Sequence, residues 1–251
     1  MLTVGVDLAA DPARTAACVI DWAIGRIEAI SPVSDEQILE LATTARVVGV
    51  DVPLGWPDDF VRAISAHHQQ RPWPALAAST SIGRESLRYR RTDVLLRHAA
   101  HHPLSVSTDL IGVVALRAAR LQHLLAAAGL TVDRSGITGV IVETYPAAAL
   151  SGWRLPSRGY KGAKNRAGLA SIVALVLDEA GPLRPAATSA LAGCSDHILD
   201  AFICAVVAAA ARLGITALPG PQDQENARCE GWIHVPTATL AEIVELAGRE
   251  R

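Results

Sequence analysis

The stretch LTVGVDLAA (residues 2–10) reads as a short, mostly apolar strand that ends in an acid, Asp7. The same pattern returns in ARVVGVDVPLG (45–55), where the apolar run VVGV leads into Asp51. Continuous apolar runs of this kind are typical of strands that are covered on both faces. We therefore predict a sheet that carries helices on both sides.

The segments around these two strands alternate between strand and helix patterns. TAACVIDW (15–22) and GRIEAI (25–30) follow the first strand after short connections, which predicts a three-stranded antiparallel meander. A fifth strand is predicted at GVIVET (139–144). Helical patterns cover 34–45, 58–70, 112–128, 165–180, 195–212 and 237–248. The chain is therefore predicted to be an α/β protein, whose mixed five-stranded sheet combines the meander with parallel strands.

Length and composition fit one domain. The chain has 251 residues, of which 50% are hydrophobic, and it shows no repeats or low-complexity linker. We predict a single domain over residues 1–251, with a mostly helical insertion at about 57–135. The formal net charge of −2 argues against a protein that binds nucleic acid through its overall charge, but it allows a local basic groove.

Cysteine usage and the start of the chain indicate a cytoplasmic protein. The cysteines form no CxxC pair, so there is no zinc-ribbon or thioredoxin signal. The chain enters its first strand without a basic leader, and we expect no signal peptide. The longest apolar run, 201–211, is shorter than the roughly 18–20 residues of a membrane span. We therefore predict a cytoplasmic protein that does not cross a membrane.

Three predicted strands end in an acidic residue: Asp7, Asp51 and Glu143. The carboxyl ends of parallel strands lie along one edge of a sheet, where ligand sites form. An acid at a strand end is, taken alone, more often a helix cap or a solvated loop residue. Three acids that each follow an apolar run instead indicate a shared site.

The predicted helix in SDHILDAFICAVVAAAARL (195–213) adds two more acids. Asp200 leads directly into the apolar part of the helix, and Asp196 lies one turn earlier. Carboxylates buried close together repel each other, and a divalent cation removes that penalty. Because Mg²⁺ prefers carboxylate oxygens, we predict that these acids hold one or two Mg²⁺ or Mn²⁺ ions. The alternative is that Asp196 caps the helix and Asp200 points to solvent.

Two basic segments are candidates for phosphate binding. RESLRYRRTDVLLR (84–97) contains Arg90 and Arg91, and the alternative for this segment is a solvated helix face with an Arg90–Asp93 or Arg91–Asp93 ion pair. RLPSRGYKGAKNR (154–166) contains the only lysines of the chain, Lys161 and Lys164. A glycine-flanked lysine can contact a phosphate, although a solvated loop is the alternative.

His197 follows Asp196 directly in the sequence, at the mouth of the predicted site. A histidine in that position is a candidate proton shuttle to a leaving group, since its ordinary pKa lies near neutral pH.

Several motifs resemble one known family. RRTD (90–93), VETYPAA (142–148), YKG (160–162), DHILDAFICA (196–205) and EGWIHVP (230–236) resemble the DUF429 family of predicted nucleases. GVDLA, the meander, GVDVPLG and the late helix resemble the ribonuclease H-like fold. The resemblance spans almost the whole chain, with its motifs in the order of the family.

The resemblance implies a role for each of four acids. Asp7 corresponds to the central ligand on the first strand, Asp51 to the fourth-strand ligand and Asp200 to the helix ligand. Glu143 corresponds to the fifth-strand acid. Many ribonuclease H-like nucleases carry Glu where this chain has Asp51, and the shorter side chain favours one ion over two.

We therefore expect a metal-dependent nuclease whose substrate is DNA or RNA. One alternative is a non-catalytic binding or partner protein on the same fold, which the near-neutral charge and few aromatic residues favour. A more distant alternative is an ATP-binding protein related to sugar kinases or actin. That alternative requires a longer chain, and a first turn richer in Gly, Ser and Thr than the Leu8-Ala9-Ala10 found here.

Overall fold

The computed structural model describes residues 1–74, 85–99, 101, 103–106 and 111–250. The strands are β1 (Leu2–Asp7), β2 (Ala16–Asp21), β3 (Arg26–Ile30), β4 (Val47–Val50) and β5 (Ile141–Glu143). The helices are α1 (Asp35–Thr44), α2 (Asp58–His68), α3 (Arg91–His98), α4 (Val113–Ala127), α5 (Pro146–Gly152), α6 (Arg166–Glu179), α7 (Arg184–Ala190), α8 (Asp196–Arg212), α9 (Gln224–Glu230) and α10 (Leu240–Arg249). The predicted α/β class is confirmed.

The five strands form one open sheet in the order β3-β2-β1-β4-β5. The pairs β1–β2 and β2–β3 are antiparallel, which confirms the predicted meander. The pairs β1–β4 and β4–β5 are parallel, so the ends of these three strands lie along one edge. In this register Gly5 lies opposite Gly49, and Val50 lies opposite Glu143.

Helices cover both faces of the sheet, as predicted. On one face, Val4 and Val6 of β1 and Val48 and Val50 of β4 pack in an apolar cluster with residues of α1 and α4. On the other face, α8 joins β2, α6 and α10 in the larger apolar cluster of the protein. The two clusters are separated by the sheet because successive side chains of a strand point to opposite faces.

Helix α8 lies unusually close to the sheet because glycines line its path. A Cβ atom at Gly5 would lie 2.0 Å from the carbonyl oxygen of Ala201. One at Gly49 would lie 2.4 Å from the carbonyl oxygen of Cys204. The repeated VGVD sequence therefore places two paired glycines under the helix, and the first turns of α8 lie over the ends of β1 and β4.

The predicted insertion at about 57–135 contains α2, α3 and α4 among its described residues, whereas 75–84, 100, 102 and 107–110 lie outside them. The single-domain organisation stays a prediction. Helices α5, α7 and α9 were not predicted, because seven residues are too few to show a helical period. Within the described residues, no helix combines the length and apolar character needed to cross a bilayer.

Candidate metal centre

Three aspartates from distant parts of the chain meet at the edge of the sheet. Asp7 ends β1, Asp51 follows β4 directly and Asp200 lies in the second turn of α8. Asp7 lies on the same side of its strand as Gly5, and Asp51 on the same side as Gly49, since side chains alternate along a strand. Both therefore face α8, and oxygen atoms from all three carboxylates lie within 4.8 Å of one another.

Burial makes the close approach of these carboxylates unfavourable when all three are ionised. Asp200 is 1% exposed, and burial raises its pKa to about 6 although Lys161 lowers it. Burial also raises the pKa of Asp51, and the negative charge of Asp7 adds to this effect. Three oxygen ligands with excess negative charge fit a hard divalent cation such as Mg²⁺ or Mn²⁺, so the residues present suit the predicted metal.

Two neighbouring residues of one loop bind the two oxygens of Asp200. The Tyr160 hydroxyl donates to Oδ1 at 2.7 Å, and Lys161 Nζ lies 2.7 Å from Oδ2. Burial by itself lowers the pKa of Lys161. The charges of Asp200 and Asp51 outweigh this effect, so the pKa is raised above its ordinary value and the ammonium stays charged. Sequence reasoning identified Lys161 but missed Tyr160, although both belong to the YKG motif.

His197 lies against Asp7, one turn of α8 before Asp200. Its Nδ1 is 2.5 Å from Asp7 Oδ2, and its side chain is 30% exposed. The hydrogen bond with Asp7 raises the pKa of His197, which favours the protonated ring. The structure thus places this histidine at the edge of the aspartate cluster, and the proton-shuttle role stays a prediction.

Asp196 lies outside the cluster of three aspartates. Its Oδ2 accepts a hydrogen bond from the backbone N–H of Gly162 at 2.9 Å. The alternative prediction that Asp196 caps the helix is wrong, because the N-cap is Ser195, whose hydroxyl accepts from the N–H of Ile198. Asp196 instead connects the start of α8 to the loop at residues 159–162, which carries Lys161.

Glu143 ends β5 but faces the opposite side of the sheet from the three aspartates. It lies opposite Val50, one residue out of phase with Asp51. Its two oxygens accept hydrogen bonds of 2.7 Å from Arg90 Nη1 and Nη2, and Oε2 also accepts from the N–H of Leu54 at 3.0 Å. The next residue, Thr144, is the one that faces α8, and its hydroxyl donates to Cys204 Sγ of that helix. The structure does not bring Glu143 together with the three aspartates.

Arg90 is buried and fully engaged by acids. It is 1% exposed and donates to both oxygens of Asp93, at 3.0 and 2.9 Å, as well as to Glu143. These two acids raise its pKa even though burial acts in the opposite direction. The alternative prediction of an Arg90–Asp93 ion pair is confirmed, but the pair lies in the interior and not on a solvated helix face. Arg90 thus connects the start of α3 to the end of β5.

The other two predicted phosphate contacts lie at the surface. Arg91 Nε pairs with Asp223 Oδ1 at 2.6 Å, and the arginine side chain is 40% exposed. Lys164 is exposed in the short 3-10 turn Ala163–Asn165, which follows the loop at residues 159–162. Of the four predicted phosphate contacts, the structure places only Lys161 in contact with the aspartate cluster.

The comparisons with known proteins identify one family. Residues 5–224 match the model of DUF429, which is described as a protein of unknown function. No curated protein and no solved structure matches the chain significantly. The predicted family is therefore confirmed, and its description assigns no activity.

Proposed function

The chain belongs to the DUF429 family, and we propose that it is a divalent-metal-dependent phosphodiesterase acting on nucleic acid. The observation that carries this proposal is the convergence of Asp7, Asp51 and Asp200 within 4.8 Å at the ends of parallel strands. Carboxylates drawn from three elements and partly removed from water can hold a catalytic Mg²⁺ or Mn²⁺ that keeps its remaining sites for water and substrate.

A divalent ion in this position would activate a water molecule for attack on phosphorus and would stabilise the leaving oxygen. The three aspartates would hold the ion, and the tight packing of α8 on Gly5 and Gly49 would keep Asp200 in place. Because Glu143 is bound by Arg90, the donors that remain favour one ion over two.

Basic residues close to Lys161 in the chain would supply contacts to a phosphodiester substrate. The loop before α6 carries Arg158, Lys161 and Lys164, and α6 begins with Arg166. This local positive charge can bind a phosphate backbone although the net charge of the protein is −2. The contact with Asp7 raises the pKa of His197, and in the proposed reaction its protonated ring would give a proton to the leaving oxygen.

The test is cleavage of labelled single strands, duplexes, DNA–RNA hybrids and junctions, with Mg²⁺, Mn²⁺ or a chelator. We expect cleavage that needs the metal and that falls at least about 100-fold in Asp7→Asn, the loss typical of a central electrostatic group. Asp178→Asn is the matched control, because Asp178 is a 63% exposed acid on α6. Equal cleavage by Asp7→Asn and wild type would remove the mechanism.

One observation favours a second function, a non-catalytic binding protein. The ion pair between Lys161 and Asp200 compensates part of the negative charge of the three aspartates without a metal ion. This function predicts tight binding to a protein partner together with no hydrolysis of any substrate in the same screen. Cleavage that is lost in Asp7→Asn would exclude it.

A further inference from the structure

The loop at residues 159–162 is fastened to α8 at three points. Tyr160 and Lys161 each bind one oxygen of Asp200, and the backbone N–H of Gly162 donates to Asp196. Tyr160 is 1% exposed and anchors the loop in the apolar cluster below α8. The side chain of Lys161 is 56% exposed, so its stem lies at the surface while its ammonium reaches into the site.

The backbone around Lys161 has a special conformation on both sides. Gly159 has a φ of +79° and Gly162 a φ of +86°, values that other residues rarely adopt. No heavy atom lies within 4 Å of a Cβ built at either glycine. These glycines are thus needed for the path of the chain and not for close packing, and that path directs the lysine towards Asp200.

We propose that Lys161 is a tethered cation that holds the position of the divalent metal in the metal-free protein and competes with the metal for Asp200. The inference rests on the proposed metal site. Both oxygens of Asp200 already have partners, and an ion bound to Oδ2 would lie about 2.1 Å from it, where the ammonium now approaches to 2.7 Å. Two cations at such a separation repel strongly in a partly buried site, so the metal binds only when the ammonium withdraws.

The competition has a consequence for substrate binding. Withdrawal leaves Lys161 charged and still attached to the rim of the site, where a substrate phosphate can pair with it. Lys161 thus weakens metal binding when no substrate is present. When a phosphate is bound, its ion pair with Lys161 offsets part of that loss of binding free energy.

The experiment measures binding of Mn²⁺ alone to the full chain by calorimetry. Lys161→Met keeps the length of the side chain and removes the charge, and we expect it to bind Mn²⁺ about tenfold more tightly than wild type, or better. Lys161→Arg keeps the charge and should stay within about threefold of wild type. Arg26→Met removes a 67% exposed cation on β3, at the far edge of the sheet, and is the control that should bind Mn²⁺ as wild type does.

The outcomes separate this inference from the proposed function. Equal or weaker Mn²⁺ binding by Lys161→Met overturns the competition and leaves the metal site standing. Absence of binding in both wild type and Lys161→Met overturns the metal site together with the inference. Thermal unfolding checks the fold of each variant, and Lys161→Gln is a second neutral variant. In both neutral variants, Mn²⁺ should raise the melting temperature more than it does in wild type.

Discussion

Asp51 illustrates, at the scale of one residue, how a functional site opposes stability. Its pKa is raised by burial and by the charge of Asp7. An acid whose pKa is higher in the folded state binds its proton more tightly there. Stability therefore falls as the pH rises from the unfolded pKa through the folded one, so at neutral pH Asp51 makes the metal-free protein less stable than an unshifted carboxyl would.

Asp51→Asn should therefore raise the melting temperature of the metal-free protein at pH 7.5. We expect an increase of about 2–4 °C, the change that about 1 kcal/mol produces in a chain of this size. The same variant should lose the stabilisation that Mn²⁺ gives to wild type. Differential scanning fluorimetry with and without Mn²⁺ measures both effects, with the exposed Asp178→Asn as control. A lower melting temperature for Asp51→Asn would contradict this account.

His234 provides a second effect of pH, through the burial of a neutral imidazole. It is 2% exposed, with Nδ1 2.8 Å from the Thr216 hydroxyl and Nε2 2.9 Å from the carbonyl oxygen of Ser135. Burial lowers its pKa below the ordinary value of 6.5. The unfolded chain therefore takes up the proton first, and folding stability should decrease as the pH falls below about 6.5.

Between pH 7.5 and 5.5, we expect this single residue to reduce the free energy of unfolding by about 1 kcal/mol. The reduction should disappear in His234→Gln and persist in His123→Gln, whose side chain is exposed on α4. Urea denaturation at the two pH values gives the comparison. If wild type and His234→Gln lost the same free energy, the buried neutral histidine would not be the cause.

At the scale of elements, the contact between β1 and α8 positions the site. Gly5→Ala would place a methyl group 2.0 Å from the carbonyl oxygen of Ala201 and 2.2 Å from the backbone nitrogen of Ala205. Neither atom can rotate away, so the helix must move off the sheet. We expect a loss of about 3 kcal/mol or more in the free energy of unfolding, measured by urea denaturation, and weaker Mn²⁺ binding because Asp200 moves with α8.

Gly248→Ala is the matched control for this prediction. Gly248 lies in α10, and no heavy atom lies within 4 Å of a Cβ built there. Alanine in an open helical position should stabilise the protein by about 0.5–1 kcal/mol, because glycine loses more backbone entropy on folding. Similar effects of Gly5→Ala and Gly248→Ala would mean that the close approach of α8 is not what the glycine permits.

At the scale of the whole molecule, α8 and α2 should differ strongly in local stability. Residues 199–210 of α8 are all buried, at 0–1% exposure, and lie between the sheet and the outer helices. In α2, by contrast, Ala63 is the only buried residue. A helix with so few buried residues can unfold locally while the rest of the protein stays folded.

Native-state hydrogen exchange should therefore separate the two helices. Amides in 199–210 should exchange only through global unfolding, so that urea accelerates their exchange with the full slope of equilibrium unfolding. Amides of α2 should exchange through local opening, at rates almost independent of low urea concentrations. Protection of α2 equal to that of α8 would show that α2 and α8 unfold as one unit.

The strongest elements were predictable because their patterns are local. Apolar runs that end in Asp7 and Asp51 and a long apolar helix that contains Asp200 specify two central strands and a buried helix. Short connections specify the meander, and the parallel pairing of β1 and β4 then brings the two strand ends together. Of the five acids predicted to hold a metal, Asp7, Asp51 and Asp200 meet, each at the end of an apolar strand or within the apolar helix.

The sequence by itself determined the sheet, the buried helix and the three aspartates, since each depends on periodicity and turn chemistry within a few residues. Only the tertiary structure decided the partners of Glu143 and Asp200. Glu143 lies one residue out of phase with Asp51, so its side chain points away from the aspartate cluster. On that side of the sheet it is bound by Arg90, which comes from a distant segment of the chain. The contact of Lys161 with Asp200 likewise joins residues 39 positions apart through a loop without a repeating pattern. Such contacts depend on which distant segments of the chain pack together away from water, and no local sequence pattern specifies that.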